Sequence, residues 1–164
     1  PAEVADRTVP GHWEGDLILG KYKRSALGTL VERTTRYTIL VPLGGKKDAL
    51  SVREAYAKAF KGVPEELKKT LTYDQGKEMS QHEQFTIDTG IQVFFAHPGS
   101  PWERGSNENT NGLIRQYFPK GTDFTRVSVE EIKGVEHKLN DRPRQVLNFY
   151  KPNEVFNKLV ALIV

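Results

Sequence analysis

The sequence predicts an α/β protein with a five-stranded mixed sheet flanked by helices. Near its start, three neighbouring segments are rich in β-branched and aromatic residues, have the length of strands and are joined by short links. Further along the chain, segments with helical spacing alternate with two more short strands. Consecutive strands followed by alternating strands and helices give a mixed sheet with helices on its faces.

The first three strands are predicted at residues 12–19, 26–34 and 36–43, with a tight turn near Thr35. Short links favour antiparallel pairing between them. The later elements, in chain order, are a helix at 46–60, a strand at 69–74, a helix at 80–89, a strand at 91–96, and helices at 103–117, 128–142 and 153–164. The order βββαβαβα, with further helices after it, is that of the ribonuclease H-like fold.

Composition limits the class of protein. Hydrophobic residues make up 37% and charged residues 27% of the chain, which is typical of a globular domain. The lack of cysteine excludes a disulfide framework and a thiolate metal site. A net charge of +3 does not by itself identify a nucleic-acid-binding protein. Because no apolar run is long enough to span a bilayer and no signal-peptide pattern is present, we expect a cytoplasmic protein without a membrane partner.

Asp16 is an acid inside the apolar strand sequence GDLIL. Burying a lone carboxylate is costly unless it is paired, hydrogen-bonded or bound to a metal. Strand alternation places Asp16 on the same face as His12, Glu14 and Ile18. Asp16 therefore either holds a metal ion or pairs with a neighbouring arginine. Glu14 is a second candidate ligand, although we expect it to pair with a basic neighbour.

Two more acids follow at positions that suit the same site. Asp74 ends the fourth predicted strand, where an acid before Gln75 and Gly76 also fits a simple turn. Glu108 lies in the first turns of the helix predicted at 103–117, among asparagines that weaken a helix. On a helical wheel, the face away from Glu108 holds the residues expected to contact the core: Thr110, Leu113, Ile114 and Tyr117.

The three acids have more meaning together than singly. One lies on the first strand, one ends the fourth strand and one is on the helix after the fifth, so they can meet at one edge of the sheet. Hard divalent cations prefer oxygen ligands, and two ions about 4 Å apart can activate a nucleophile and stabilise the leaving oxygen of a phosphodiester. The sequence therefore predicts a metal-holding triad of Asp16, Asp74 and Glu108.

Three stretches also resemble a known family. VPGHWEGDLI, TYDQGKE and SPWERGSNENTNGLIRQYFPKGTDF are similar to the catalytic core of bacterial insertion-sequence transposases. The resemblance is to DDE transposases with a retroviral-integrase-type core, and specifically to the insertion-sequence-thirty family. The 33 residues that separate Asp74 from Glu108 agree with the spacing in that family. The resemblance covers nearly the whole chain, from about residue 9 to residue 158.

The resemblance implies a function and its cofactors. Asp16, Asp74 and Glu108 would be catalytic residues that hold Mg²⁺ or Mn²⁺, with two ions expected. The family's chemistry is metal-dependent cleavage at transposon DNA ends, followed by attack of the freed 3′-hydroxyl on target DNA. The expected partners are therefore DNA and further copies of the chain, because two transposon ends must be brought together. A cytoplasmic protein that associates with the bacterial nucleoid would follow.

Several residues near the triad are candidate DNA contacts. Trp102, in a loop rich in proline and glycine, offers a ring for stacking on a base or for anchoring the following helix. Lys21, Lys23 and Arg24 form the basic link between the first two strands, with a solvated turn as the alternative. The remaining candidates for phosphate contacts are Arg104, Asn107, Asn111, Arg115 and Lys120.

An alternative function stays open. Gln75 stands where the family usually has Asn, His97 where Asp is expected and Met79 where Phe is expected. These differences suggest a DNA-binding or assembly module with weakened or lost catalysis. A nuclease specific for a DNA structure or for RNA·DNA hybrids is a third possibility on the same fold. We expect residues 1–10 to form an N-terminal arm and 11–164 the catalytic core of a longer transposase, whose end-binding domain would precede this chain.

Overall fold

The computed structural model describes residues 9–73, 79–96 and 105–163, and for residues 105–108 the backbone alone. Its five strands, all in one sheet, are β1 (His12–Leu19), β2 (Ala26–Glu32), β3 (Thr38–Gly44), β4 (Thr70–Tyr73) and β5 (Gln92–Phe95). The spatial order is β3-β2-β1-β4-β5. β1 pairs antiparallel with β2 and parallel with β4, so the predicted mixed sheet is confirmed.

Five α-helices accompany the sheet within the described ranges: α1 (Ala49–Ala59), α2 (His82–Thr89), α3 (Gly105–Tyr117), α4 (Val129–Asn140) and α5 (Pro152–Ile163). Their order along the chain agrees with the prediction. Two start where a side chain caps the helix: Asp48 accepts from the Ser51 amide at 2.9 Å, and Ser128 accepts from the Glu131 amide at 3.1 Å. α1 therefore begins three residues later than its apolar spacing predicted.

β2 ends two residues earlier than predicted because Glu32 organises the turn after it. The Glu32 carboxylate accepts hydrogen bonds from the Thr35 amide at 2.7 Å and from the Thr35 hydroxyl at 2.8 Å. It also accepts from the Gly11 amide at 3.0 Å. These donors satisfy a carboxylate that is fully buried, and they tie the turn to the segment that enters β1.

The sheet separates two hydrophobic clusters, as the alternation along β1 predicted. Trp13 belongs to one cluster and Ile18 to the other. In the first cluster Trp13 packs edge-to-face on Phe60, with ring centroids 5.2 Å apart. In the second, Ile114 of α3 and Leu139 of α4 are fully buried. The two faces of β1 are thus covered by different helices.

α4 also covers the edge strand β3. The Asn140 side chain accepts from the Thr38 amide at 2.9 Å and donates to the Thr38 carbonyl at 2.8 Å. Glu136 accepts from the Leu40 amide at 2.8 Å. These bonds satisfy backbone groups that an exposed sheet edge would offer to another strand. None of the helices in the described part of the chain has the length and apolar character needed to cross a membrane.

Candidate active site

Asp16 lies in the central strand of the sheet, half-buried and paired on one side with Thr29 of β2. On the other side, the parallel register of β1 and β4 ends with Gly15 opposite Tyr73. Asp16 is the residue after Gly15, and Asp74 is the residue after Tyr73. Asp74 itself lies outside the described residues. The register therefore brings the chain positions that precede the two acids side by side.

Both oxygens of the Asp16 carboxylate accept hydrogen bonds. Oδ1 accepts from the Leu17 amide at 2.8 Å, and Oδ2 accepts from the Asn111 side-chain amide at 3.0 Å. Asn111 is 95 residues away in the sequence and lies on α3. This contact sets the orientation of the carboxylate and joins α3 to β1 at the predicted site.

The backbone at Asp16 is fixed by hydroxyl groups on both faces of the sheet. The Tyr56 hydroxyl of α1 donates to the Asp16 carbonyl at 2.7 Å, and the Thr29 hydroxyl donates to the same oxygen at 3.4 Å. Tyr56 is fully buried against β2, where a Cβ added at Gly28 would lie 2.6 Å from its ring. The absence of a side chain at Gly28 thus lets Tyr56 reach Asp16.

Glu108 lies on α3, one helical turn before Asn111. Asn111 lies one turn after position 108, so its bond to Asp16 brings this part of α3 next to β1. The predicted core side of the helix is confirmed. Thr110 and Ile114 are buried, and Leu113 and Tyr117 pack against the hydrophobic cluster that contains Ile114. The Glu108 side chain lies outside the described atoms.

One polar atom beside Asp16 stands out. Asn111 Oδ1 is buried and has no hydrogen-bond partner in the part of the chain that the structure describes. Leaving a buried acceptor unsatisfied costs about 1–3 kcal/mol. An amide oxygen next to a carboxylate is the hard oxygen donor that Mg²⁺ or Mn²⁺ accepts. The donor chemistry at this position therefore fits the predicted metal ions.

The other polar residues on the Asp16 face have structural partners. Glu14 is fully buried and forms an ion pair with Arg33, whose Nε lies 3.2 Å from Glu14 Oε2. The expected pairing of Glu14 with a basic neighbour is thus confirmed. His12 Nδ1 lies 2.7 Å from the Thr70 hydroxyl. Within residues 9–73, 79–96 and 105–163, no group of three or more His, Cys, Asp or Glu side chains is arranged to hold a metal ion. The predicted triad extends beyond these ranges.

Each predicted DNA contact forms a hydrogen bond within the chain, is exposed, or lies outside the described residues. Arg115 donates to the Leu19 carbonyl at the end of β1 at 3.0 Å. The side chains of Lys21, Lys23, Arg24 and Lys120 are exposed. Trp102 and Arg104 lie outside the described residues, as does the side chain of Asn107. Gln75 and His97, which differ from the family pattern, also lie outside them. All of these contacts stay predictions.

Sequence reasoning missed two tyrosines. Tyr56 was assigned to a helix by its spacing, but its bond to Asp16 joins positions 40 residues apart, and no local pattern signals it. Tyr22 stands between Lys21 and Lys23, and its ring is 76% exposed. An aromatic residue interleaved with basic ones was a usable signal for nucleic-acid binding.

Comparison with known proteins places these features in context. Residues 6–101 match the family model of the Integrase core domain. The chain is 50% identical over 159 residues to the transposase InsI for insertion sequence element IS30A of Escherichia coli (strain K12), covering 97% of this chain and 41% of that protein. It is 47% identical over 161 residues to the transposase for IS1086 of Cupriavidus metallidurans, covering 98% and 47%. The chain thus spans less than half the length of these relatives.

Solved structures support the fold. The catalytic core domain of BIV integrase superposes with a TM-score of 0.66 at 17% identity, covering 93% of this chain and 97% of that one. A chain of the simian T-cell lymphotropic virus intasome in complex with PP2A regulatory subunit B56 gamma gives a TM-score of 0.62 at 18% identity, covering 80% and 49%. The predicted ribonuclease H-like fold is confirmed.

Proposed function

Because this chain belongs to the integrase core domain family, we propose that it is the catalytic domain of a bacterial insertion-sequence transposase. Its relatives named as insertion-sequence transposases support this assignment. The structural observation that supports it most directly is the bond between Asn111 and Asp16, since this bond holds the helix of Glu108 against the strand of Asp16. The substrates are DNA at the transposon ends and target DNA.

In this proposal Asp16, Asp74 and Glu108 hold Mg²⁺ or Mn²⁺, with two ions expected. Bound ions would help to deprotonate the attacking hydroxyl and stabilise the charge on the leaving oxygen. The chain itself contributes a carboxylate whose orientation is fixed by the Leu17 amide and the Asn111 side chain. It also contributes the Asn111 oxygen as a further hard donor at the same place.

The reaction has two phosphoryl-transfer steps. In the first, a water oxygen attacks a phosphodiester at the transposon end, the bond from phosphorus to the 3′-oxygen breaks, and that oxygen leaves as a 3′-hydroxyl. In the second, this hydroxyl attacks a phosphodiester of the target strand and displaces the target's own 3′-oxygen. No covalent link between protein and DNA is formed. Joining two ends requires two active sites, so the working form is a dimer or a larger assembly, acting in the cytoplasm on nucleoid DNA.

Substitution of the triad tests this function. Asp16→Asn and Glu108→Gln, made in the full-length transposase, are expected to lower end cleavage and strand transfer by about 100- to 10,000-fold, because several kcal/mol of charge stabilisation is lost. The assay follows labelled transposon-end DNA with Mg²⁺ or Mn²⁺. Glu130→Gln, at an exposed position on α4, is the matched control and should leave both steps unchanged.

A second readout separates catalysis from DNA binding. Crystals of the chain soaked in Mn²⁺ should show anomalous peaks next to Asp16, and these should disappear in Asp16→Asn. Full cleavage by Glu108→Gln would refute the proposed function. DNA binding without cleavage by the unchanged protein would instead support the non-catalytic module that Gln75 and His97 suggest.

A further inference from the structure

The link between β1 and β2 presents an exposed tyrosine on a basic turn. Lys21–Lys23 forms one short 3-10 turn with no buried residue, and Arg24 follows it. The Lys21 ammonium lies 5.4 Å from the centroid of the Tyr22 ring, and the Arg24 guanidinium lies 5.5 Å from it. The ring is nevertheless 76% exposed. Two cations thus lie over the ring of a residue that is largely exposed to solvent.

The backbone of this turn is strained. Tyr22 has φ of 54° and Lys23 has φ of 57°, which is left-handed backbone that glycine or asparagine adopts with less cost. Little burial offsets this cost, because Tyr22 is 76% exposed. The turn therefore holds this ring in solvent at some cost in backbone energy.

The turn is held rigidly against the segment that follows α3. The Lys21 amide donates to the Thr122 carbonyl at 2.8 Å, and the Phe124 amide donates to the Ser25 hydroxyl at 3.0 Å. Gly20 makes this close approach possible, since an added Cβ would meet Ser25 Oγ and would lie 2.7 Å from the Thr122 carbonyl. Tyr22 is therefore held on a turn that is fixed to the segment with Thr122 and Phe124.

The turn lies near the candidate active site along β1. From Asp16, β1 continues for three residues to Leu19, about 10 Å at the rise of a strand. Arg115 contacts the Leu19 carbonyl there, and Lys120 is exposed in the turn that the Thr122 amide closes on the Pro119 carbonyl. Basic side chains therefore connect the active site with the turn.

One acid adjoins this surface. The pKa of Asp123 is lowered, first by hydrogen bonds from Thr125 and to a smaller extent by the charges of Arg126 and Lys21. Asp123 is thus ionised at neutral pH and offsets part of the positive charge. Lys23, Arg24 and Lys120 remain exposed beside it, so the surface keeps its basic character.

We propose that Tyr22 stacks on an unpaired base of the DNA strand at the active site, while Lys21, Lys23 and Arg24 contact the neighbouring phosphates. This inference rests on the proposed function and adds the kind of DNA that the turn binds. A ring on a protruding turn needs a base whose face is free, which single-stranded or frayed DNA offers and an intact duplex does not. Stacking also tolerates any base, as contact with varied target DNA requires.

Binding of short oligonucleotides tests the role of the ring. The probe is a fluorescein-labelled 15-nucleotide oligo-dT, and fluorescence anisotropy measures its affinity for the chain. Tyr22→Ala and Tyr22→Gly are expected to weaken binding roughly 5- to 150-fold, the loss of one stacked base, whereas Tyr22→Phe should bind within about twofold of the unchanged chain. The dependence of affinity on salt should not change, because the ring displaces no counterions.

Phe149 offers a matched control. Its ring is 71% exposed and its φ is 67°, so it shares the exposure and strain of Tyr22. Its turn follows α4, whose last residue, Asn140, binds Thr38. Thr38 lies about 20 Å along β3 from Gly44, the residue that pairs with Ala26 beside the basic turn. Phe149→Ala should therefore leave oligo-dT affinity unchanged.

Two further measurements make the inference refutable. An oligonucleotide with 5-iododeoxyuridine should cross-link to Tyr22 on irradiation, and mass spectrometry locates the modified peptide. The melting temperature of Tyr22→Gly should equal or exceed that of the unchanged chain, since glycine relieves the strain. Equal oligo-dT affinity for Tyr22→Ala and the unchanged chain would overturn the inference, as would a lack of measurable binding by the unchanged chain.

The two proposals fail separately. If Tyr22→Ala binds normally while Glu108→Gln abolishes cleavage, the stacking role is wrong and the transposase assignment stands. If Tyr22→Ala weakens binding while Glu108→Gln cleaves normally, the reverse holds.

Discussion

A single amide side chain connects the two halves of the candidate active site. Asn111 donates through its nitrogen to Asp16, and its oxygen stays buried without a partner in the described part of the chain. The nitrogen fixes the carboxylate, and the oxygen is available to a cation at the same place. Replacing a side chain that positions a metal ligand typically lowers the affinity for the ion by about 10- to 100-fold.

Replacing the Asn111 side chain should weaken metal binding. Asn111→Ala should weaken Mn²⁺ binding by about 10- to 100-fold, because Asp16 loses its orienting donor. Isothermal titration of the chain with Mn²⁺ measures the change. Asn109→Ala, on the exposed side of the same helix, is the control and should bind Mn²⁺ normally. Equal affinities for the two variants would show that Asn111 does not position the carboxylate.

Close packing between α1 and β2 supports the strand of Asp16. Tyr56 reaches the Asp16 carbonyl only because position 28 has no side chain. An added Cβ at Gly28 would lie 2.6 Å from the Tyr56 ring and 3.1 Å from Val41 Cβ. Gly134, in the middle of α4, has no neighbouring atom within 4 Å of an added Cβ.

These two glycines should respond in opposite directions to the same substitution. Gly28→Ala is expected to lower the free energy of unfolding by about 1–3 kcal/mol, because the extra methyl group overpacks the core. Gly134→Ala should raise it by up to about 1 kcal/mol, since alanine is the better helix former. Urea unfolding of both variants measures the difference. A stability of Gly28→Ala equal to that of the unchanged chain would mean that Tyr56 moves aside without cost.

Tyr37 connects the sheet with α4 and α5, the last two helices of the described chain. Its ring stacks on Phe156 of α5 with centroids 4.1 Å apart and planes inclined by 10°. Burial, and to a lesser degree the negative charge of Glu136 on α4, raise the pKa of Tyr37. The folded chain therefore favours the protonated phenol more than the unfolded chain does.

The raised pKa of Tyr37 makes the stability of the folded chain depend on pH. A group with a raised pKa in the folded state contributes stability that is fully present below its unfolded value, about pH 10 for tyrosine, and is lost as pH rises through the folded value. Tyr37→Phe keeps the stacked ring and has no proton to lose, so its stability should fall less steeply above pH 10. Urea unfolding between pH 8 and pH 11 tests this, and parallel profiles for the two proteins would contradict it.

The sequence alone was enough for the order of the elements and for the two faces of β1. Alternation requires Trp13 and Ile18 to lie on opposite faces, and the structure places them in different clusters. Apolar spacing likewise identified the buried side of α3, where Thr110 and Ile114 lie. These features depend on residues close together in the chain, whose relative directions are set by strand and helix geometry.

Contacts between side chains that are remote in sequence became evident from the tertiary structure alone. Asn111 had the features of a phosphate contact in the sequence, and the fold brings its amide to Asp16 across 95 residues. The basic turn is likewise held by a contact remote in sequence, since the Lys21 amide donates to the Thr122 carbonyl. Local patterns specify secondary structure and burial, whereas contacts between remote side chains depend on how the helices pack on the sheet.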